Sequence, residues 1–139
     1  MERRKTRGIL LLGSALWCLM IVAAPLLHAQ PIYQFFSIIC HQIPSRSWVL
    51  AGSPLPVCIR CTCIYLGFFI GAVFSIRPRT DLFKVAIAVT LAEFVFARLV
   101  LDTAWLRGPS GLFLGIEAAP FVALGIEEML EVRFRREAM

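Results

Sequence analysis

Pro56-Val57-Cys58-Ile59-Arg60-Cys61-Thr62-Cys63-Ile64-Tyr65-Leu66-Gly67-Phe68-Phe69-Ile70-Gly71 begins as a thiol-bearing loop and ends as a membrane helix. Proline is favoured at the first helical position because its missing N–H would have no partner there. The apolar residues that follow predict a span over 57–76. Cys58 and Cys61 therefore fall in the first turn of a helix. There the helix dipole and the neighbouring Arg60 favour thiolate over thiol. Two thiolates three residues apart on one helical face can grip a metal ion or close a redox disulfide.

Upstream, Cys40-His41-Gln42 supplies a second donor group across a turn-rich interval. Two donor groups separated by a loop are similar in kind to a tetrahedral zinc site. The proposed ligands are Cys40, His41, Cys58 and Cys61. Asp102 or water takes the fourth place if only one of Cys40 and His41 ligates. Four protein ligands would make the site structural, whereas three plus water would leave it open for hydrolysis. The competing reading is a disulfide from Cys40 to Cys58 or Cys61, since an outward-facing loop meets an oxidising compartment. Cys18 is expected to be a small core hydrophobe, His28 an interfacial residue, and Cys63 a packing residue or a resolving thiol.

Outward from this stretch, the composition is that of a membrane protein. Hydrophobic residues make up 59% of the 139, and charged ones only 17%. Apolar runs of about 20 residues recur, the length that crosses the hydrocarbon layer as helix. We read an all-α integral membrane bundle of about four transmembrane helices, at 8–29, 57–76, 82–101 and 111–126. Residues 102–110 form a loop between the last two, and a short interfacial helix lies within the outer loop 30–56. There Ile32, Phe35, Phe36 and Ile39 follow helical spacing, with Tyr33 at headgroup level. The first span could also be a signal peptide. Its length and the large Leu27 near the candidate cleavage site favour an uncleaved helix. Lys and Arg residues set the orientation. Ten lie in segments on the side of the N-terminus, against Arg46, Arg60 and Arg107 on the other, with Arg98 inside a span. This places both termini in the cytoplasm and the Cys/His stretch outside. The net charge of +5 is explained by this topology, and no nucleic-acid patch is evident.

Two spans carry small residues every fourth position: Cys63, Gly67, Gly71 and Ser75 on the second, and Gly111, Gly115, Ala119 and Ala123 on the fourth. Such stripes let helix backbones approach closely. Packing within the bundle is the first reading. A homo-oligomer or a membrane-protein partner through Gly67/Gly71 or Gly111/Gly115 is the second. Glu93 and Glu117 are predicted roughly 10–14 Å deep in the outer half of the bilayer. Acids at such depth usually face a bundle interior or cavity. They are either part of an ion-pair network with Arg98, which also sits four residues from Asp102, or candidate general bases in a polar cavity beneath the site.

The motif Cys40-His41-Gln42, Pro44, Arg46-Ser47, Cys58, Arg60, Cys61, Tyr65, Gly67 resembles the prokaryotic membrane-protein family known as domain of unknown function 2085. The resemblance covers about residues 40–71. It departs at Cys63, where the family usually has glycine, and after Asp102, where Thr103 replaces a glycine. It implies a multi-helix plasma-membrane protein whose Cys and His residues act together, and it supplies no reaction. Three functions follow as expectations. The first is a membrane protein with an extracytoplasmic zinc site, structural or hydrolytic, with Arg60, Tyr65 and Arg98 around it. The second is a thiol–disulfide oxidoreductase cycling Cys58 and Cys61, with Cys40 or Cys63 as partner. The third is a non-catalytic subunit of a membrane complex.

Overall fold

A computed structural model describes residues 2–99 and 104–137. Asp102 and the side chain of Arg98 lie outside the described residues. Among those described, the helices are α1 (Glu2–Leu26), α2 (Gln30–Ser37), α3 (Ile59–Phe74), α4 (Thr80–Leu99) and α5 (Ala104–Glu137). The expected interfacial helix is α2. The chain is mostly helical, and between α2 and α3 a short hairpin pairs β1 (Val49–Leu50) antiparallel with β2 (Ser53–Pro54). Ala51 and Gly52 form its two-residue turn at φ 50° and 80°. Positive φ at both positions gives the turn twist that matches a hairpin.

α1 ends where Ala29 N–H donates to Ala24 O at 3.1 Å and His28 turns left-handed at φ 47°. That closure satisfies an orphan carbonyl and swings the chain back into α2. Pro25 thus sits in the last turn of α1, one residue from its end.

Two expected boundaries move. Pro56 is not the first residue of α3: the helix starts at Ile59, with Cys58 as its N-cap residue in extended geometry. Pro56 and Val57 are instead buried beneath the loop. Of the expected loop over 102–110, the described residues 104–110 are helical instead, because α5 starts at Ala104 and runs through Pro109. A proline there forfeits one backbone hydrogen bond. Contacts to the rest of the bundle offset this loss. Arg107 is buried against Glu93, and Gly108 and Gly111 lie on Cys63 and Arg60 of α3.

The α3–α5 pair is the tightest contact in the molecule, and the two small-residue stripes form it by facing each other. A methyl group at Gly67 would overlap the Leu112 carbonyl, and one at Gly115 the Ile64 carbonyl. At Gly71 it would lie 2.6 Å from Ile116 O. Both stripes are therefore used within one chain.

Among the described residues, two helical segments are long and apolar enough to cross a bilayer: Thr6–Leu26, with mean hydropathy 2.3, and Trp105–Leu130, with 1.5. α3 is apolar but has only 16 residues, about 24 Å of helix. α4 has the length, yet Asp81, Lys84, Glu93 and Arg98 interrupt its apolar character.

Candidate metal centre

The site is assembled where α1, α2 and the start of α3 meet. Ile21, Phe36, Cys40, Leu55 and Val57 form a buried cluster, with Trp17, Ile32, Cys58, Cys61 and Tyr65 packed against it. Trp17 is its hub. Its ring meets Phe35, Phe36 and Tyr65 edge-on, with centroids 5.4–5.6 Å apart. This aromatic wall holds α2 against α1 and fixes the end of α2, from which Cys40 emerges. Cys40 N–H still donates to Phe36 O at 2.9 Å, so its position is tied to the last helical turn.

Gln42 then joins the two halves of the motif. Its side-chain amide donates to Tyr33 O at 2.6 Å and to Pro56 O at 2.9 Å. Tyr33 donates its hydroxyl to Pro54 O at 2.7 Å. One carboxamide thus links α2 to the segment that delivers Cys58, and Gln42 reaches both carbonyls from a left-handed backbone at φ 48°.

The result is that Cys40, Cys58 and Cys61 lie together, with their sulfurs within 4.8 Å of one another. Cys40 is buried, and the other two are half-buried. All three are free thiols. Sulfurs sharing one zinc ion at about 2.3 Å would lie roughly 3.8 Å apart, so small side-chain rotations suffice to close the cluster on an ion. The donor set also suits a soft or borderline metal. Cys58 N–H donates to Cys40 Sγ at 3.2 Å. Cys58 itself, just outside the helix, is held well below the ordinary cysteine value, chiefly by a hydrogen bond from Cys61, with burial opposing. Backbone N–H groups and the dipole of the helix that follows are what stabilise thiolates at such a helix start.

The remaining predicted residues take other places. His41 is exposed and does not join the three thiols. Tyr65 packs on Trp17 at the edge of the cluster. Arg60 sends its guanidinium to the Glu93 carboxylate and lies over the Phe94 ring at 5.5 Å from the centroid. Glu93 is met by Arg60 and by Arg107 at 3.7 Å, neither of which was the expected partner, while the expected pairing with Arg98 lies outside the described residues. Glu117 is buried on α5, and one of its carboxylate oxygens has no hydrogen-bond partner. Cys63 lies in the α3–α5 contact, with its sulfur 3.6 Å from where a methyl on Gly108 would be. The roles of Gln42 and Arg107 were not legible as such. Gln42 stood within the motif without a chemistry of its own, and Arg107 was read as a loop cation.

A mostly helical chain with long apolar segments and a thiol cluster at one end defines a membrane protein with a candidate metal centre. The chain belongs to the family described as predicted membrane protein (DUF2085), whose pattern matches residues 40–121 and so begins at Cys40. It is similar to an uncharacterized protein of Methanocaldococcus jannaschii, 38% identical over 55 residues, covering 39% of this chain and 35% of the relative. It is also similar to an uncharacterized protein of Methanothermobacter thermautotrophicus, 33% identical over 73 residues, covering 52% and 60% respectively. The chain thus spans about a third and three fifths of these relatives. No solved structure matches.

Proposed function

We propose that this chain is a multi-pass membrane protein that holds a zinc ion on Cys40, Cys58 and Cys61, in a site that locks the outer loop to the helix bundle. The observation that carries this reading is the mutual approach of three sulfurs within 4.8 Å. A disulfide uses two cysteines and leaves the third without a role, whereas a metal uses all three. The buried Cys40 and the Gln42 strut agree with a structural ion, because both join segments far apart in sequence. Three thiolates leave a fourth place on a tetrahedral ion, open to water or to an added ligand such as His41 or Asp102.

In this reading α1, α3, α4 and α5 all cross the membrane, with the termini in the cytoplasm and the thiol cluster outside. The asymmetric distribution of Lys and Arg supports that orientation. Chelation tests the role of the ion: removing a structural metal removes folding free energy. A strong chelator should lower the Tm of the purified, detergent-solubilised chain by several degrees, and added zinc should restore it. An unchanged Tm in a chain shown to carry zinc would exclude the structural role.

The hydrogen bond from Cys61 that favours the Cys58 thiolate supports a second reading. In that reading Cys58 attacks a substrate disulfide and Cys61 resolves the mixed disulfide. It predicts that Cys58 and Cys61 interconvert between dithiol and disulfide in membranes.

A further inference from the structure

At the end of the bundle away from the thiols, α1, α3, α5 and the turn between α3 and α4 surround a cavity of about 460 Å³. Its lining combines Arg7 of α1 and Arg77 of the turn with apolar side chains such as Leu10, Ala123 and Leu124. The volume is far beyond what one water molecule needs, and the apolar walls offer water few partners. Arg7 is oriented by α3. That helix ends at Ser75 in left-handed geometry, φ 49°, and Arg7 Nη2 donates to Val73 O in its last turn at 2.5 Å. A cation suits this negative end of the helix dipole. The carbonyl takes one of the guanidinium donors and none of its charge, so the other N–H groups remain for an anion. Arg77 is exposed and makes no ion pair among the described residues. Glu127 is the one carboxylate lining the cavity among the described residues, and it has an interaction partner. Even counted in full, one carboxylate against two guanidinium groups leaves one positive charge in excess. Depth then decides the occupant. Thr6–Leu26 has 21 residues, about 31 Å of helix, which matches the hydrocarbon thickness. Arg7 therefore stands at a membrane boundary, level with lipid phosphates, and Leu10 lies one turn deeper among the acyl chains.

We propose that this cavity binds an anionic phospholipid, whose phosphoryl group is held by Arg7 and Arg77 and whose acyl chain lies along Leu10, Ala123 and Leu124. Guanidinium forks match the geometry of phosphate oxygens and give charge-assisted hydrogen bonds. Basic pockets between membrane helices on the cytoplasmic side take such headgroups. The excess positive charge selects an anionic headgroup over a zwitterionic one, and the apolar walls select a lipid over free phosphate. A lipid seated here touches α1, α3 and α5 at once and so ties the first helix to the tight α3–α5 pair. The site rests on the reading that α1 crosses the bilayer from the cytoplasmic face, and it does not depend on the metal.

The test uses the full chain purified in dodecyl maltoside at physiological ionic strength, which screens nonspecific attraction. Dioleoyl phosphatidylglycerol is added in mixed micelles, with dioleoyl phosphatidylcholine and sodium phosphate as comparisons. The expected result is a Tm that rises with the phosphatidylglycerol content, as for a ligand that binds only the folded chain, and no comparable rise with either comparison. Arg77→Gln should weaken the apparent affinity by about tenfold, the size of one lost charge-assisted hydrogen bond, and Arg77→Lys should restore part of it. Arg79→Gln, two residues on and outside the cavity lining, should leave the response unchanged. Equal rises with the two phospholipids, a response to free phosphate alone, or the same loss in Arg77→Gln and Arg79→Gln overturns the site. An epitope tag at the N-terminus, probed by protease in spheroplasts and everted vesicles, tests the orientation of α1 separately. A cytoplasmic tag with no phosphatidylglycerol response overturns the site alone. An outside tag with the response intact overturns the orientation and keeps the site.

Discussion

Arg60 on α3 grips the carboxylate of Glu93 on α4, while Arg107 of α5 approaches the other Glu93 oxygen at 3.7 Å. One buried acid thereby ties three helices together just below the thiol cluster. The side chain of Glu93 is 5% exposed and those of Arg60 and Arg107 are 21% and 9%. Solvent therefore screens this network little.

Glu93→Gln keeps the volume and removes the charge, leaving two guanidinium groups facing each other. Breaking a buried pair by removing one partner costs on the order of 3 kcal/mol. The variant should therefore unfold at a clearly lower temperature in detergent. A Tm equal to that of the parent chain would make Glu93 a bystander.

Gln42 is expected to matter through its amide. Gln42→Ala removes the hydrogen bonds to Tyr33 O and Pro56 O and leaves two carbonyls to find new donors, at about 1–3 kcal/mol. Because the strut aligns Cys40 with Cys58, metal affinity should fall by roughly 10–100-fold, as for other residues that position ligands. Gln42→Glu should be worse, since an ionised carboxylate, which only accepts hydrogen bonds, would face two carbonyl oxygens. Competition titration with a zinc-chelating dye measures the change, and unaltered affinity in both variants would remove Gln42 from this role.

The glycines of the α3–α5 contact should be unequal to those elsewhere. Gly67→Ala and Gly115→Ala place a methyl group on a backbone carbonyl that cannot move alone, so the helices must separate, at a cost of about 1–3 kcal/mol or more. Gly13→Ala and Gly125→Ala meet nothing within 4 Å and should be neutral or slightly stabilising. Thermal unfolding of the four variants decides this. Equal behaviour of the two pairs would refute the close packing.

The helical membrane character and the Cys58/Cys61 pair could be read from residue type and spacing, because both are local signals, and Cys40 was added as a second donor group across a loop. Apolar runs of fixed length report a bilayer, and C-x-x-C at a helix start reports thiols on one face. The small stripes of α3 and α5 were equally legible, since nothing but close approach rewards Gly67 and Gly115 at those positions. The start of α5 was not. Gly108 and Pro109 are local breakers, and only the long-range contacts of Arg107 and Gly111 outweigh them. The partner of Glu93 was missed for the same reason, as depth along a span does not tell which neighbouring helix supplies the cation. His41 stands apart from the three close thiols. Sequence adjacency to Cys40 suggested a shared ligand group, but the chain leaves the buried cluster directly after Cys40, and the His41 side chain faces outward.

That exposure yields a further expectation. If the three thiolates carry the ion, His41→Ala should retain stoichiometric zinc, with at most a modest loss of affinity. Complete loss of metal in this variant would show that the imidazole is an obligatory ligand.

The most direct test of the central claim is the zinc content of the purified full chain, determined by elemental analysis beside a count of free thiols with and without reductant. The account predicts about one zinc ion per chain, lost in Cys40→Ser, Cys58→Ser and Cys61→Ser but kept in Cys18→Ser. Absence of stoichiometric metal, with Cys58 joined to Cys40 or Cys61 in a disulfide, would contradict it.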